Sequence, residues 1–325
     1  MRFALDDSAE TLRAAAAELL RGEVTPAVLR AGWPDGNWDL VDAPWGKLAA
    51  VGALGTLVPE EQGGLGLDEN SLVPLLEEIG YSGLPGPAVE TIAVAAPLLA
   101  ATPLAGAPDT LVAVQARPGE LIAFGQRAAQ AVLIKDEAVW LYATSELRLE
   151  PCDSVDGSRW LARLVAEPAG GVLLSGDTDA AWQRGVLGTA AVLTGLARRM
   201  LDMTVEYVKG REQYGVPVGS FQAIKHALAD ALVAVEFARP MVLAAAAAQA
   251  GARGDAGLQT SAAKVLASDA ARLVARTAIQ CHGAMGYTTE YDLHLFAKRV
   301  WALAPSWGSA GWHRARIGEK LCPTS

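Results

Sequence analysis

The chain has 325 residues, 51% of them hydrophobic, and a formal net charge of −9, a length that accommodates two or three packed units of roughly 100–200 residues each. The acidic balance, with a sequence pI near 5.0 and no basic cluster, excludes a nucleic-acid partner. Cys152, Cys281 and Cys322 are odd in number and far apart, and the four histidines include no His-x-x-x-His pair, so neither a disulfide framework nor a zinc spacing follows.

The opening Met1-Arg-Phe-Ala-Leu-Asp-Asp carries no signal-peptide core, and no apolar run reaches the ~18 residues that span a bilayer, so a cytoplasmic protein without a membrane partner is expected. Residues 1–108 read as helical. Asp7 or Ser8 caps a first helix through Leu20, and a second runs from Trp45 to Leu57, ending at Val58-Pro59. Gly63, Gly64 and Gly66 then form a loop; no P-loop lysine follows, which favours a structural turn over a phosphate cradle. A further helix from Glu69 to Ile79 is expected to stop at Gly80.

Residues 109–175 change character. Short apolar runs between turn residues, Thr110–Val114, Leu121–Phe124, Ala131–Ile134, Val139–Tyr142 and Trp160–Leu164, predict strands. From 176 to 325 the helical period returns. Val186, Ala190, Leu193, Ala197 and Met200 share a face of a helix that reaches Lys209. Phe221, Ile224, Leu228, Ala231, Val235 and Ala238 predict the buried face of a second helix, up to Ala250. A third runs from Leu258 to His282, and a shorter pair occupies Tyr291–Leu303 and Ser309–Leu321. The expected fold is α+β, mostly α: an N-terminal helical domain, a small middle β domain and a C-terminal four-helix bundle.

Two breaker-rich segments carry chemistry. In Arg211-Glu-Gln-Tyr-Gly-Val-Pro-Val-Gly-Ser-Phe-Gln222, Arg211 and Gln213 can hold an anion while Gly215, Pro217 and Gly219 turn the chain. About seventy residues on, Gln280-Cys-His-Gly-Ala-Met-Gly-Tyr287 contains Gly283 and Gly286, whose backbone N–H groups can approach a phosphate or an adenosine. The plainer readings are a helix C-terminal cation for Arg211, a helix-end residue for Gln280, packing or surface roles for His226 and His313, and core positions for Trp301 and Trp307.

Together these segments resemble the two flavin-contacting stretches of the acyl-CoA dehydrogenase family, with Ala284 in place of a second glycine and Tyr214 in place of a phenylalanine. The resemblance implies FAD bound across a subunit interface, Arg211, Gln213, Tyr214, Phe221 and Gln222 on one side and Gln280, Gly283, Ala284 and Gly286 on the same or a symmetry-related cofactor. It implies α,β-dehydrogenation of a CoA thioester, in which a glutamate takes the α proton. The family places that glutamate at one of two positions, which here hold Trp307 and Gly185. Neither can accept a proton. Asp202 and Glu206 lie one turn apart on the helix before the loop; Glu206, three residues from Lys209, predicts a surface pair. Glu290 reads as structural.

The middle domain is shorter than the family's, and its ring-contacting stretch has no counterpart at Val114–Gly119. The chain is similar to the shorter, base-lacking subunit of two-subunit actinobacterial enzymes of steroid side-chain degradation. That implies an oligomer with a homologous subunit or with itself, the base coming from the partner, and an electron-transfer flavoprotein as acceptor. A non-catalytic scaffold of the same fold and a flavin-dependent oxygen-using enzyme are the alternatives.

Overall fold

A computed structural model describes residues 5–100, 110–135 and 137–322. The boundary expected at 108–109 lies outside the described residues.

The N-terminal part is a layer of helices: α1 (Asp7–Glu23), α2 (Pro26–Ala31), α3 (Asp39–Ala50), α4 (Glu69–Ser82), then a π-helical turn (Val89–Ala95) running into α5 (Ala96–Ala100). α1 buries Ala9, Leu12, Ala16 and Leu20 on one stripe, and its cap is Asp6, whose carboxylate accepts the Ala9 N–H at 2.8 Å. The cap falls one residue before the expected position because Asp6 is the last extended residue. α3 begins six residues before Trp45 and ends near Gly52, whose φ of 78° breaks the helix. Gly63, Gly64 and Gly66 make a turn folded on itself; a Cβ on Gly64 would stand 2.1 Å from the Val58 carbonyl.

Gly80 does not end α4, which continues to Ser82 and is capped by Gly83 at φ 73°. Gly80 is instead a contact point with α6 (Thr178–Gly210). A Cβ on Gly80 would lie 2.4 Å from the Val192 carbonyl oxygen, and one on Gly195 would lie 2.0 Å from that of Glu77. Reciprocal glycines let the two backbones touch, closer than side chains would permit. Beside the crossing, the carboxylate of Glu77, 1% exposed, is held by Arg239 at 3.0 Å. Burial pushes the Glu77 carboxyl up, and Arg239 pulls it back.

The middle part contains β1 (Val112–Gln115), β2 (Gln130–Lys135), β3 (Ala138–Ala143), β4 (Leu149–Pro151), β5 (Ala162–Leu164) and β6 (Val172–Leu174). One sheet has the order β1-β2-β3-β6, with β1 and β2 parallel and the remaining pairs antiparallel; β4 and β5 form a separate ribbon. The expected strand at Leu121–Phe124 reduces to a single bridge between Ile122 and Ala162, because Phe124 turns left-handed at φ 59°.

α6 is capped by Asp177, whose side chain accepts the N–H groups of Asp179 and Ala180. Its predicted face is buried throughout. It is followed by a short hairpin, β7 (Glu212–Gln213) and β8 (Val216–Pro217), then α7 (Gln222–Ala250), α8 (Ala256–His282), α9 (Leu293–Leu303) and α10 (Ala310–Leu321). α7 packs on α4, α6 and α8. Its predicted face is buried only from Ala231 onward, and Phe221 is 39% exposed. Contrary to the sequence expectation, α7 is long and apolar enough, by length and composition, to cross a bilayer. Its outer side displays Leu232, Val233 and Phe237, the last 71% exposed. Trp301, expected in the core, is also exposed.

Replacing Gly195 by alanine forces a methyl group into the Glu77 backbone. The expected cost is about 1–3 kcal/mol, read as a thermal midpoint several degrees lower; an unchanged midpoint would show that α4 and α6 part freely.

Candidate active-site and cofactor surfaces

The Arg211 segment is a two-residue β-hairpin. Glu212 pairs with Pro217 and Gln213 with Val216. Tyr214 and Gly215 at its tip have φ of 55° and 78°, the pair of left-handed residues that a tight hairpin turn requires. The Val218 N–H donates to the Arg211 carbonyl at 2.8 Å and closes the ladder. Side chains are thus displayed outward on a fixed frame. Tyr214 is 94% exposed and packs edge-on to Phe221. Arg211, Gln213 and Gln222 are exposed, and Arg211 has no ion pair among the described residues.

The second segment caps α8. Gln280, Gly283 and Ala284 are exposed. Gly283 has φ 58° and open space where a Cβ would be, so its backbone is approachable. Gly286 behaves differently: it is buried, and a Cβ would stand 2.6 Å from the Ile279 carbonyl. Its close approach is to its own helix. The ends of α6 and α8 are joined by Tyr207, whose ring stacks on His282 at 4.1 Å and whose hydroxyl donates to the His282 carbonyl at 3.3 Å. His282, which a metal corner beside Cys281 would have used, is a packing residue; its Nδ1 donates to the Ala278 carbonyl. The two predicted segments therefore share one end of the bundle.

Gly185 and Trp307, the two positions at which the resemblance places the base, also meet, at the other end. A Cβ on Gly185 would lie 2.4 Å from the Trp307 ring. The indole, 6% exposed, fills the room that a side chain at 185 would need. Trp307 sits at φ 56° and Gly308 at φ 92°. A left-handed tryptophan is strained, and buried groups hold it there. Lys264 donates Nζ to the carbonyls of Ala304 at 2.8 Å and Gly308 at 3.1 Å. His313 donates Nε2–H to the Trp307 carbonyl at 2.9 Å, which leaves Nδ1 to accept from Ser261. Burial brings Lys264 down to about 7 and His313 to about 4.

Trp307 forms one wall of a cleft of about 340 Å³ between the π-helical turn, the sheet and the α9–α10 loop. Two carboxylates line it, Glu120 and, on the π-helical turn, Glu90. Burial pushes Glu90 up, against the charge of Arg159 and a hydrogen bond from Trp307. Sequence reading missed it; the available signal was a lone charge inside Val89-Glu-Thr-Ile-Ala-Val-Ala. Asp202 and Glu206 lie elsewhere. Asp202 accepts from the Tyr81 hydroxyl at 2.8 Å, and Glu206 pairs with Lys209 at 2.9 Å.

Gly185 and Arg211 lie 26 residues apart on one straight element, roughly 40 Å at 1.5 Å per residue. The hairpin cannot reach the cleft of its own chain through a single dinucleotide.

The helical layer, small sheet and bundle with this pair of exposed loops are the acyl-CoA dehydrogenase fold. Residues 6–105 match the family's N-terminal domain and residues 180–322 its C-terminal domain, and the chain belongs to that family of oxidoreductases. It is 34% identical to acyl-CoA dehydrogenase FadE34 of Mycobacterium tuberculosis over 93% of this chain, and spans about half of that relative, 47% of its length. It is 32% identical to acyl-CoA dehydrogenase IpdE2 of the same organism over 90% of each chain. Among solved structures, a chain of the Mycobacterium tuberculosis ChsE4–ChsE5 complex aligns with a TM-score of 0.87 at 24% identity, covering 100% of both chains.

Because the folded-state value of His313, about 4, lies below its ordinary 6.5, the unfolded chain takes up the proton first. Stability is expected to fall as pH drops from 6.5 to 4, and the slope over that window to shrink in His313→Leu. Denaturant midpoints measured across the window check this.

Proposed function

We propose that this chain is the base-lacking subunit of a flavin-dependent acyl-CoA dehydrogenase. In that reading, the complex removes an α proton and a β hydride from a CoA thioester. Bound FAD would supply the hydride acceptor. Arg211, Gln213, Tyr214, Phe221 and Gln222 would hold its phosphates and adenosine where protomers meet, with Gln280, Gly283, Ala284 and Gly286 at the same end. The chemistry of these groups suits a dinucleotide. They comprise an unpaired guanidinium, amide donors and an exposed aromatic pair on a rigid hairpin, next to an open glycine at a helix end.

The observation that carries the reading is the contact of Trp307 with Gly185. It fills both positions from which the family's glutamate would act, so the proton acceptor comes from a partner subunit. The roughly 40 Å between cleft and hairpin supports the same division, since the hairpin serves a cofactor whose reacting end lies in another chain. The apolar strip of Leu232, Val233 and Phe237 on α7 supports association, and the homologous partner is the expected occupant.

Co-expression with a homologous full-length dehydrogenase, compared with the chain by itself, tests this. Flavin absorbance and acyl-CoA turnover are expected of the complex alone; stoichiometric flavin with turnover in the isolated chain would overturn the reading. A complex without flavin would leave the scaffold role, and oxygen consumption by the reduced complex would point to the oxygen-using alternative.

Two variants sharpen the roles within the complex. Arg211→Ala removes charge-assisted hydrogen bonds and is expected to weaken flavin retention about ten- to a hundredfold. Glu90→Gln is expected to leave kcat within about threefold, because the proton acceptor is the partner's. A loss of about a thousandfold would place the base on the π-helical turn.

A further inference from the structure

The cleft beside Trp307 has an uneven charge balance. Arg159 reaches into its wall, donating Nη1 to the Ala302 carbonyl at 3.1 Å and Nη2 to the Ser306 hydroxyl at 3.2 Å. Neither acceptor carries charge. No carboxylate of the described residues pairs with Arg159, and its Nε is shut off from solvent without a hydrogen-bond partner. The nearby carboxylate of Asp156 is taken: Arg299 binds it at 3.0 Å, and Ser158 donates to it at 2.6 Å. Cations withdrawn from water are ordinarily matched by an anion within hydrogen-bonding reach.

The other acids in the wall, Glu90 and Glu120, make no ion pair with Arg159 among the described residues, and the charge of Glu90 acts on it from beyond pairing distance. Burial pushes both Glu90 and Glu120 up, towards the neutral form. The other lining residues include Val114, Leu121, Leu161 and Trp307. The recess is therefore a partly apolar slot whose wall holds a guanidinium hydrogen-bonded only to uncharged acceptors. At ~30 Å³ for a water-sized group, its 340 Å³ takes on the order of ten non-hydrogen atoms.

We propose that this cleft binds a short carboxylate, the guanidinium of Arg159 holding its oxygens and Val114, Leu121 and Leu161 holding its chain. Planar guanidinium and carboxylate match in shape as well as charge. Glu90 also lines the recess, and burial pushes its carboxyl up. The ligand is a free acid or the far carboxylate of a CoA-linked diacid. The site lies at the opposite end of α6 from the hairpin, and its existence does not depend on that hairpin holding a flavin.

Calorimetric titration of the assembled complex with hexanoate and with hexanamide tests the proposal. Hexanoate is expected to bind at least tenfold more tightly than the isosteric amide. Arg159→Met is expected to abolish the difference. Because Arg159 also fastens the α9–α10 loop, Leu121→Trp provides a second variant, which fills the slot and leaves the guanidinium in place; it is expected to weaken hexanoate at least tenfold. Adipyl-CoA binding more tightly than hexanoyl-CoA would assign the carboxylate to the end of an acyl chain. Equal binding of the two thioesters, with hexanoate still preferred over hexanamide, would assign it to a free acid. Equal affinity for hexanoate and hexanamide, or hexanoate binding untouched by both variants, would overturn the site. Flavin absorbance recorded on the same samples keeps this outcome separate from any failure of the dehydrogenase reading.

Discussion

Helix α6 is held by contacts that tolerate no added atom. Near its middle, Gly195 lies against the Glu77 carbonyl and Gly80 against that of Val192, so α4 and α6 touch backbone to backbone. Near its start, Gly185 lies under the Trp307 ring. These glycines set how far the N-terminal layer and the α9–α10 loop stand from the bundle. The cleft, the buried Glu77–Arg239 pair and the placement of the π-helical turn all follow from that spacing. A core of this density transmits a single methyl group as a displacement of whole elements.

The length of α6 divides the protein's chemistry between two places. At one end lie the cleft, the contact of Gly185 with Trp307 and the charges around Arg159. At the other lie the hairpin and the end of α8, tied by the stack of Tyr207 on His282. A rigid helix of 33 residues keeps them apart. The proposed division of cofactor and base between chains rests on that separation, and the exposed Leu232, Val233 and Phe237 of α7 offer a surface for association.

Trp307 makes a structural demand on the residues around it. Its left-handed backbone and buried ring are held by Lys264 and His313, two titratable groups withdrawn from water to fasten one loop. Both are drawn towards their neutral forms by burial.

Much of this was legible from residue order. The buried face of α6, the short strands β2 and β3, and the two loop segments announce themselves because helical period, strand alternation and turn residues are local properties of neighbouring residues. The absence of a carboxylate at 185 and 307 is likewise a matter of reading the residues there. Gly80 misled because a glycine that ends a helix and a glycine that lets two helices touch look alike in sequence. Gly286 and Phe124 misled for the same kind of reason. That Gly185 and Trp307 meet, that Glu90 and Arg159 face one recess, and that the hairpin is roughly 40 Å from it were decided only by tertiary packing. Each joins residues distant along the chain, and which distant residues come together depends on how whole faces bury against one another.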